Sequence, residues 1–344
     1  MLGVVQAASA SEAQPRVVVL VAPLVPYVAA IMQGGGTVSG LLQPGQDPHH
    51  FAMAPSQAEA LDGSDILILP DLSMSPMTAE AAKRNPKLRV IELSKLTGAA
   101  PLPYAADNPW LAAVKKEGKD EDDDAPASAP AGPPPAAQDN YKKLPAFNAP
   151  VAQEPVAVPT VDPHFWLDPE RMAAVAPSLA EALGQFSPEH RATYAANAAA
   201  LAQHLRREVL PGMRALLDNG HGHAVVSDTK PVIGFITYHA AYQYFLARFG
   251  LGHTGEITAR PEDYLGAKSL DRLLEAAKKV KVRCIIGEAD STLVNRIAAL
   301  SGAKVILLSP EQNVPASDVP MTDWVHDDYD RLLYKTAQKF GECL

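Results

Sequence analysis

The sequence predicts an α/β protein of two domains with mainly parallel sheets, and three observations predict it. Its 344 residues exceed one ordinary core and suit two domains of typical size. Short β-branched runs alternate with helix-like stretches in both halves of the chain, the pattern of parallel strands joined by helices. Between the halves, a helix is predicted over 188–217, about 45 Å long and able to cross a two-lobed molecule.

The first block starts near residue 16. Residues 16–22 (RVVVLVA) read as a buried strand, as do 65–69 (DILIL) and 88–93 (LRVIEL). Pro55 to Leu61, opening on Pro-Ser-Gln, reads as one of the intervening helices. From 101 to 160 the pattern stops. Twelve of the 31 prolines fall there, with the acidic run Glu121, Asp122, Asp123 and Asp124, so too little apolar surface is on offer to offset the ordering entropy. Most of it, about 105–158, reads as a disordered loop, a solvated spacer in preference to a cation-collecting tether. A helix follows over 170–183, then the long helix, with Ser187 as N-cap, Pro188 at its first position, and Tyr194, Leu201, Leu205, Val209 and Leu216 on one face. Beyond it strands are expected at 224–227, 233–237, 254–257, 281–287 and 304–308. Helices are expected at 239–249, 266–280, 291–301 and 327–340. The resulting division is an N-terminal segment 1–15, a first α/β lobe 16–168, a helical region 169–217 and a second α/β lobe 218–344.

Composition narrows the function classes. Hydrophobic residues are 47% and charged residues 20%, ordinary for a globular protein. A net charge of −9 argues against nucleic acid or an anionic membrane as partner. No apolar run is long enough to span a bilayer, so direct membrane insertion is not expected. Ala8, Ser9 and Ala10 resemble the end of a secretory signal, although a basic n-region and an apolar h-region do not precede them; a frayed terminus fits equally. Cys284 and Cys343 are the only cysteines. They are either two buried thiols or, in an oxidising compartment, one bridge closing a loop of about 60 residues, worth roughly 4 kcal/mol.

Three segments place histidine at the end of a buried run: QDPHHF (His49, His50), VDPHFWLDP (His164) and ITYHAAYQYF (His239). Such ends form the ligand crevices of α/β sheets, and three neutral imidazoles with one open position make a known tetrahedral zinc site. Nothing in their spacing alone says that they converge.

The segment D-P-H-F-W-L-D-P at 162–169 is nearly identical to a signature of the solute-binding proteins that serve zinc and manganese ABC importers (cluster A-I). D-P-H-H-F with Pro55-Ser56 downstream resembles that family's first ligand segment, and Y-H-A-A-Y-Q-Y-F followed by F-G-L its third. Cys284 and Cys343 match the disulfide of the zinc-specific members, to which the chain looks closest. The resemblance runs from about residue 16 to the end. It implies two lobes joined by a long rigid helix, with metal in the interlobe cleft on His49, His164 and His239. His49 is preferred to His50 because the family's ligand directly follows the proline position. It also implies a monomeric periplasmic protein, not an enzyme, that captures Zn²⁺ and delivers it to the membrane permease of an ABC importer.

Departures from the family pattern matter. Leu308-Ser309-Pro310 stands where manganese members carry an Asp ligand, so that carboxylate is expected to be absent, favouring zinc over manganese. Water or a carboxylate such as Glu288 remains to complete or support the tetrahedron, and His50 fits a residue of the rim better than a substitute or supporting ligand. The histidine-rich loop of many zinc members is missing, since no His lies between His50 and His164. His221 and His223 in H-G-H offer an accessory site, though plain surface residues fit better. His190, His204, His253 and His326 receive no role. Two other functions compete: a zinc hydrolase or lyase using the open position, and a metal-binding surface adhesin.

Overall fold

The computed structural model describes residues 14–104, 161–218, 235–252, 255–258, 267–279, 282–312 and 328–344. The N-terminal segment around Ala8–Ala10, most of the acidic Pro-rich loop, His221, His223, His253, His326 and the strand expected at 224–227 lie outside them.

Among the described residues the first sheet holds four parallel strands: β1 (Arg16–Val19), β2 (Thr37–Gly40), β3 (Ile66–Leu69) and β4 (Arg89–Glu92), in the order β2-β1-β3-β4. Val17 to Val19 and Ile66 to Leu69 are wholly buried, which is why these runs are continuous hydrophobic stretches and do not alternate. Helices α1 (Leu24–Met32), α2 (Pro55–Asp62) and α3 (Pro76–Arg84) connect them. The sequence reading had named α2 alone. Pro26 inside the first turn of α1 obscured that helix, although the first turn is where proline is tolerated.

The second sheet repeats the plan with β5 (Phe235–His239), β6 (Gly255–Thr258), β7 (Cys284–Gly287) and β8 (Lys304–Leu307), all parallel in the order β6-β5-β7-β8. Among the described residues, four helices belong to this part: α7 (Gln243–Phe249), α8 (Ala267–Lys279), α9 (Thr292–Ser301) and α10 (Asp328–Gly341). The strand expected at 233–237 thus runs two residues further, and the helix expected from 239 starts at Gln243. A tight turn separates them, with Ala241 N donating to His239 O at 2.9 Å.

Between the lobes run α4 (Pro169–Phe186), α5 (Arg191–His204) and α6 (Leu210–Asp218). From Pro188 to Asp218 the chain is helical throughout, beginning with a 3₁₀ turn and passing through a π-helical turn at Leu205–Val209. Pro211 lacks an N–H for the carbonyl four residues back and its ring crowds that carbonyl, so a widened turn just before it relieves the clash. Ser187 does not act as the expected N-cap; its side chain accepts no cap hydrogen bond, and its backbone O takes His190 N instead.

The lobes share one buried core. It runs from the first sheet through Phe165, Trp166, Leu167 and α4–α6 to Phe235, Phe245 and Phe340. A second, smaller core fills the outer face of the second sheet around Ile236, Ile257 and Leu273. At the C-terminus the Phe340 ring packs against Phe235, Tyr242 and Phe245. A Cys284–Cys343 disulfide, with Cα atoms 5.8 Å apart, ties the end of the chain to β7.

Candidate metal centre

The first donor follows β2. Asp47-Pro48-His49 forms a turn in which Asp47 Oδ1 accepts the His49 backbone N–H at 2.8 Å. The same three residue types recur at Asp162-Pro163-His164, and Asp162 Oδ1 again accepts the backbone N–H of the histidine at 2.8 Å. Proline fixes the backbone between acceptor and donor, so both turns aim an imidazole by local chemistry. Asp162, buried together with His164, also faces His164 Nδ1 at 2.6 Å and accepts from the half-buried Gln243 Nε2 at 2.6 Å. Directly after it, Phe165–Leu167 make a 3₁₀ turn, and Asp168 caps α4 by accepting Glu170 N at 3.0 Å.

The third histidine ends β5, and Glu288 immediately follows β7, the adjacent strand. Glu288 Oε1 contacts His239 Nδ1, which turns Nε2 of that ring inward. Glu311 arrives from the loop after β8, one strand further along the sheet. His239, Glu288 and Glu311 therefore all sit beyond carboxyl ends of strands, where α/β sheets form their ligand crevices.

These residues converge. His164 Nε2 lies 3.2 Å from His239 Nε2 and 3.2 Å from Glu311 Oε1. Glu311 Oε1 is 3.6 Å from His239 Nε2 and 3.8 Å from His49 Nε2. Donors at about 2.0–2.1 Å from one Zn²⁺ stand about 3.3 Å apart at tetrahedral angles, and the four groups, all within 4.8 Å of one another, surround a space of that order. Each of the four side chains is at most 5% exposed.

Electrostatics fit the same reading. Burial alone would lower the His164 pKa, but the Asp162 and Glu311 carboxylates outweigh it and raise it to about 10. For His239 burial again acts downward, and Glu288 with Glu311 reverses it. His49 goes the other way, pushed well below its usual value by burial and by the other two imidazoles. Burial raises Glu311, with His164 and His239 holding it back. The buried carboxylates thus call for positive charge at the centre, and a divalent cation binds there by displacing protons.

One expectation changes here, and two open choices narrow. The aspartate expected to be missing is missing, with Ser309 in its place, but Glu311 two residues on brings an oxygen to the cluster, so the argument for zinc from a missing oxygen ligand does not stand. Of the two roles left open for Glu288, the geometry matches the supporting one, since its Oε1 meets the outer nitrogen of His239. His50 lies outside the cluster at the exposed rim, the position its sequence context favours, with its Nδ1 3.3 Å from Asp47 Oδ2. Glu311 was legible only as the first acidic residue after the last predicted strand, a weak signal without the distance it travels back.

Comparison with known proteins places this geometry. A family model, zinc-uptake complex component A periplasmic (ZnuA), matches residues 17–343. The high-affinity zinc uptake system protein ZnuA of Brucella abortus is 28% identical over 337 residues, covering 95% of this chain and 91% of that protein. Among solved structures, a crystal structure of ZnuA superposes with a TM-score of 0.63 at 22% identity, covering 96% of this chain and 98% of the other. The solute-binding protein FpvC of Pseudomonas aeruginosa, in complex with Mn²⁺, gives 0.64 at 19% identity, covering 96% and 98%. At these identities the structures speak for the fold, and the fold houses more than one metal.

Proposed function

We infer the function from one premise: this chain belongs to the ZnuA family of periplasmic zinc-uptake components. It is a solute-binding protein that captures Zn²⁺ and passes it to an ABC importer. The observation that carries this reading is the meeting of His49, His164 and His239 Nε2 with Glu311 Oε1 in one buried tetrahedron. Three imidazoles and one carboxylate suit Zn²⁺, and a buried, pre-aimed site suits tight capture.

The metal is cargo. Glu311 takes the corner that a catalytic zinc leaves for water or substrate, which argues against the hydrolase or lyase alternative. The Cys284–Cys343 bridge suits an oxidising compartment, in line with a periplasmic location, and the expected partner is the importer's membrane permease. Among the described residues no helix is long and apolar enough to cross a membrane. Metal analysis of the purified protein, followed by zinc-versus-manganese competition, tests the proposal. One zinc per chain, retained against excess manganese, is the expected outcome. A preference for manganese, or no bound metal after zinc loading, would overturn it.

A further inference from the structure

Two of the four donors come from the edges of the cleft, His49 on the loop after β2 and Glu311 on the loop after β8. A single side chain ties these loops together. Gln312, next to Glu311, accepts Gly45 N at 3.1 Å through Oε1 and donates to Gln46 O at 2.9 Å through Nε2. A primary amide offers one acceptor and a pair of donors on a rigid plane, so it can grip two successive backbone groups at once. Gly45 lies at φ +83°, a conformation that favours glycine, and its amide faces the second lobe.

The gripped loop is itself held to the first lobe. Gln46 Oε1 accepts Gln43 N at 2.8 Å and Gln57 Nε2 at 2.8 Å. Gln57, buried at the start of α2, also donates to Leu41 O at 2.8 Å and accepts Ala54 N at 2.9 Å. Asp47, whose carboxylate sets His49, comes immediately after Gln46. One connected path therefore runs from α2 through Gln57, Gln46 and Gln312 to Glu311. Beside it lies a cavity of about 410 Å³ lined by Gln43, Gln46, Glu311, Gln312 and Asp328.

We propose that Gln312 is a positioning residue for the metal site: a clasp across the cleft mouth that keeps Glu311 against His49 and so sets how slowly the captured cation leaves. This rests on the zinc-capture reading above. His164 and His239 sit in the packed seam between the lobes and stay in place when the mouth parts; His49 and Glu311 do not. Release requires those two donors to separate, and the clasp opposes that separation.

The test is stopped-flow measurement of zinc dissociation into excess chelator, with association rates and thermal melting of the metal-free protein measured alongside. Gln312→Met keeps the length of the side chain and loses both hydrogen bonds. Dissociation is expected to accelerate on the order of tenfold while association changes far less. Gln312→Glu keeps an acceptor for Gly45 N but turns an oxygen toward Gln46 O, and its dissociation is expected to rise as well. Melting of the metal-free protein should stay within a few degrees of wild type. Dissociation at the wild-type rate in Gln312→Met would overturn the inference alone. Faster dissociation matched by an equal loss of metal-free stability would also overturn it, as a structural role. A wild-type protein that binds no zinc would overturn the function and this inference together.

Discussion

Where residues 162–168 meet α7 and α10, the lobes are joined by buried and charged contacts; where Gly45 and Gln46 meet Gln312, they are joined by two neutral hydrogen bonds at the rim. The first seam holds a two-point ion pair, Arg248 to Asp168 at 2.7 and 2.9 Å. It also has Tyr244 donating to Asp162 O at 2.7 Å, Tyr329 donating to Trp166 O at 2.6 Å and Trp166 donating to Pro310 O at 3.1 Å. The tyrosine and tryptophan rings of this seam belong to the shared core, and the ion pair lies at its edge, with Asp168 buried and Arg248 partly exposed. Parting this seam would strand buried polar groups, a cost of about 1–3 kcal/mol each, whereas the groups at the rim can turn to water. The difference teaches that the interior seam acts as a fixed axis and the rim as a closure. Capture then has a division of labour: the axis presents His164 and His239 ready-made, and the closure adds His49 and Glu311.

The comparison can be broken at its axis first. His164→Ala removes the donor that touches both His239 and Glu311 and leaves the buried Asp162 carboxylate without its imidazole. Zinc affinity should fall by more than the roughly 10–100-fold typical of losing an outer partner, read by chelator competition; a smaller loss would show that the closure residues suffice. Asp168→Ala attacks the axis without touching the site. It deletes the α4 cap and leaves Arg248 without its two-point partner, for an expected loss of about 3 kcal/mol in urea unfolding. Zinc affinity of the folded variant should change less than in His164→Ala. An unchanged unfolding midpoint would mean that this ion pair is not what fixes the axis.

The smallest expected effect is a pH dependence. His204, at the end of α5, meets Asp330 of α10 at 2.8 Å and Glu208 at 3.3 Å. The hydrogen bond that His204 donates to Asp330 raises its pKa, burial opposes this, and the charges of Asp330 and Glu208 add to the rise. A raised pKa means stabilisation that is full below the unfolded value of about 6.5 and disappears as pH climbs through the folded value. The stability gap between wild type and His204→Ala should therefore be wider at about pH 6 than at about pH 9, by no more than about 1 kcal/mol. A gap that widens with pH would have the wrong sign for this pair.

How much of this was written in the sequence varies by residue. The strands β1, β3 and β7 were legible because runs such as DILIL have no reading as surface. His164 was legible because its chemistry is local: Asp162, Pro163 and His164 build their own turn, and Asp168-Pro169 starts a helix. Glu311 was not, because its place depends on how far the loop after β8 folds back across the cleft, a tertiary distance with no local signature. Glu288 was picked out as chemically apt, yet which nitrogen of His239 it would meet is set by the spacing of β5 and β7. Leu308-Ser309-Pro310 does lack the aspartate, but the step from there to a site without an oxygen failed for a related reason, since a site needs an oxygen in space and not at a fixed sequence position. The clasp at Gln312 was invisible as well, because both its partners are backbone groups that any residues could supply.

The central claim is that three imidazoles from both lobes and one carboxylate hold the cargo. X-ray absorption at the zinc edge of the loaded protein tests it most directly, compared between wild type and Glu311→Gln. The account predicts one zinc with three imidazole nitrogens and one oxygen at about 2.0–2.1 Å, and a weakened or exchanged oxygen shell in the variant with the imidazole signal unchanged. Fewer than three imidazoles in the wild type, or an oxygen shell indifferent to Glu311→Gln, would contradict it.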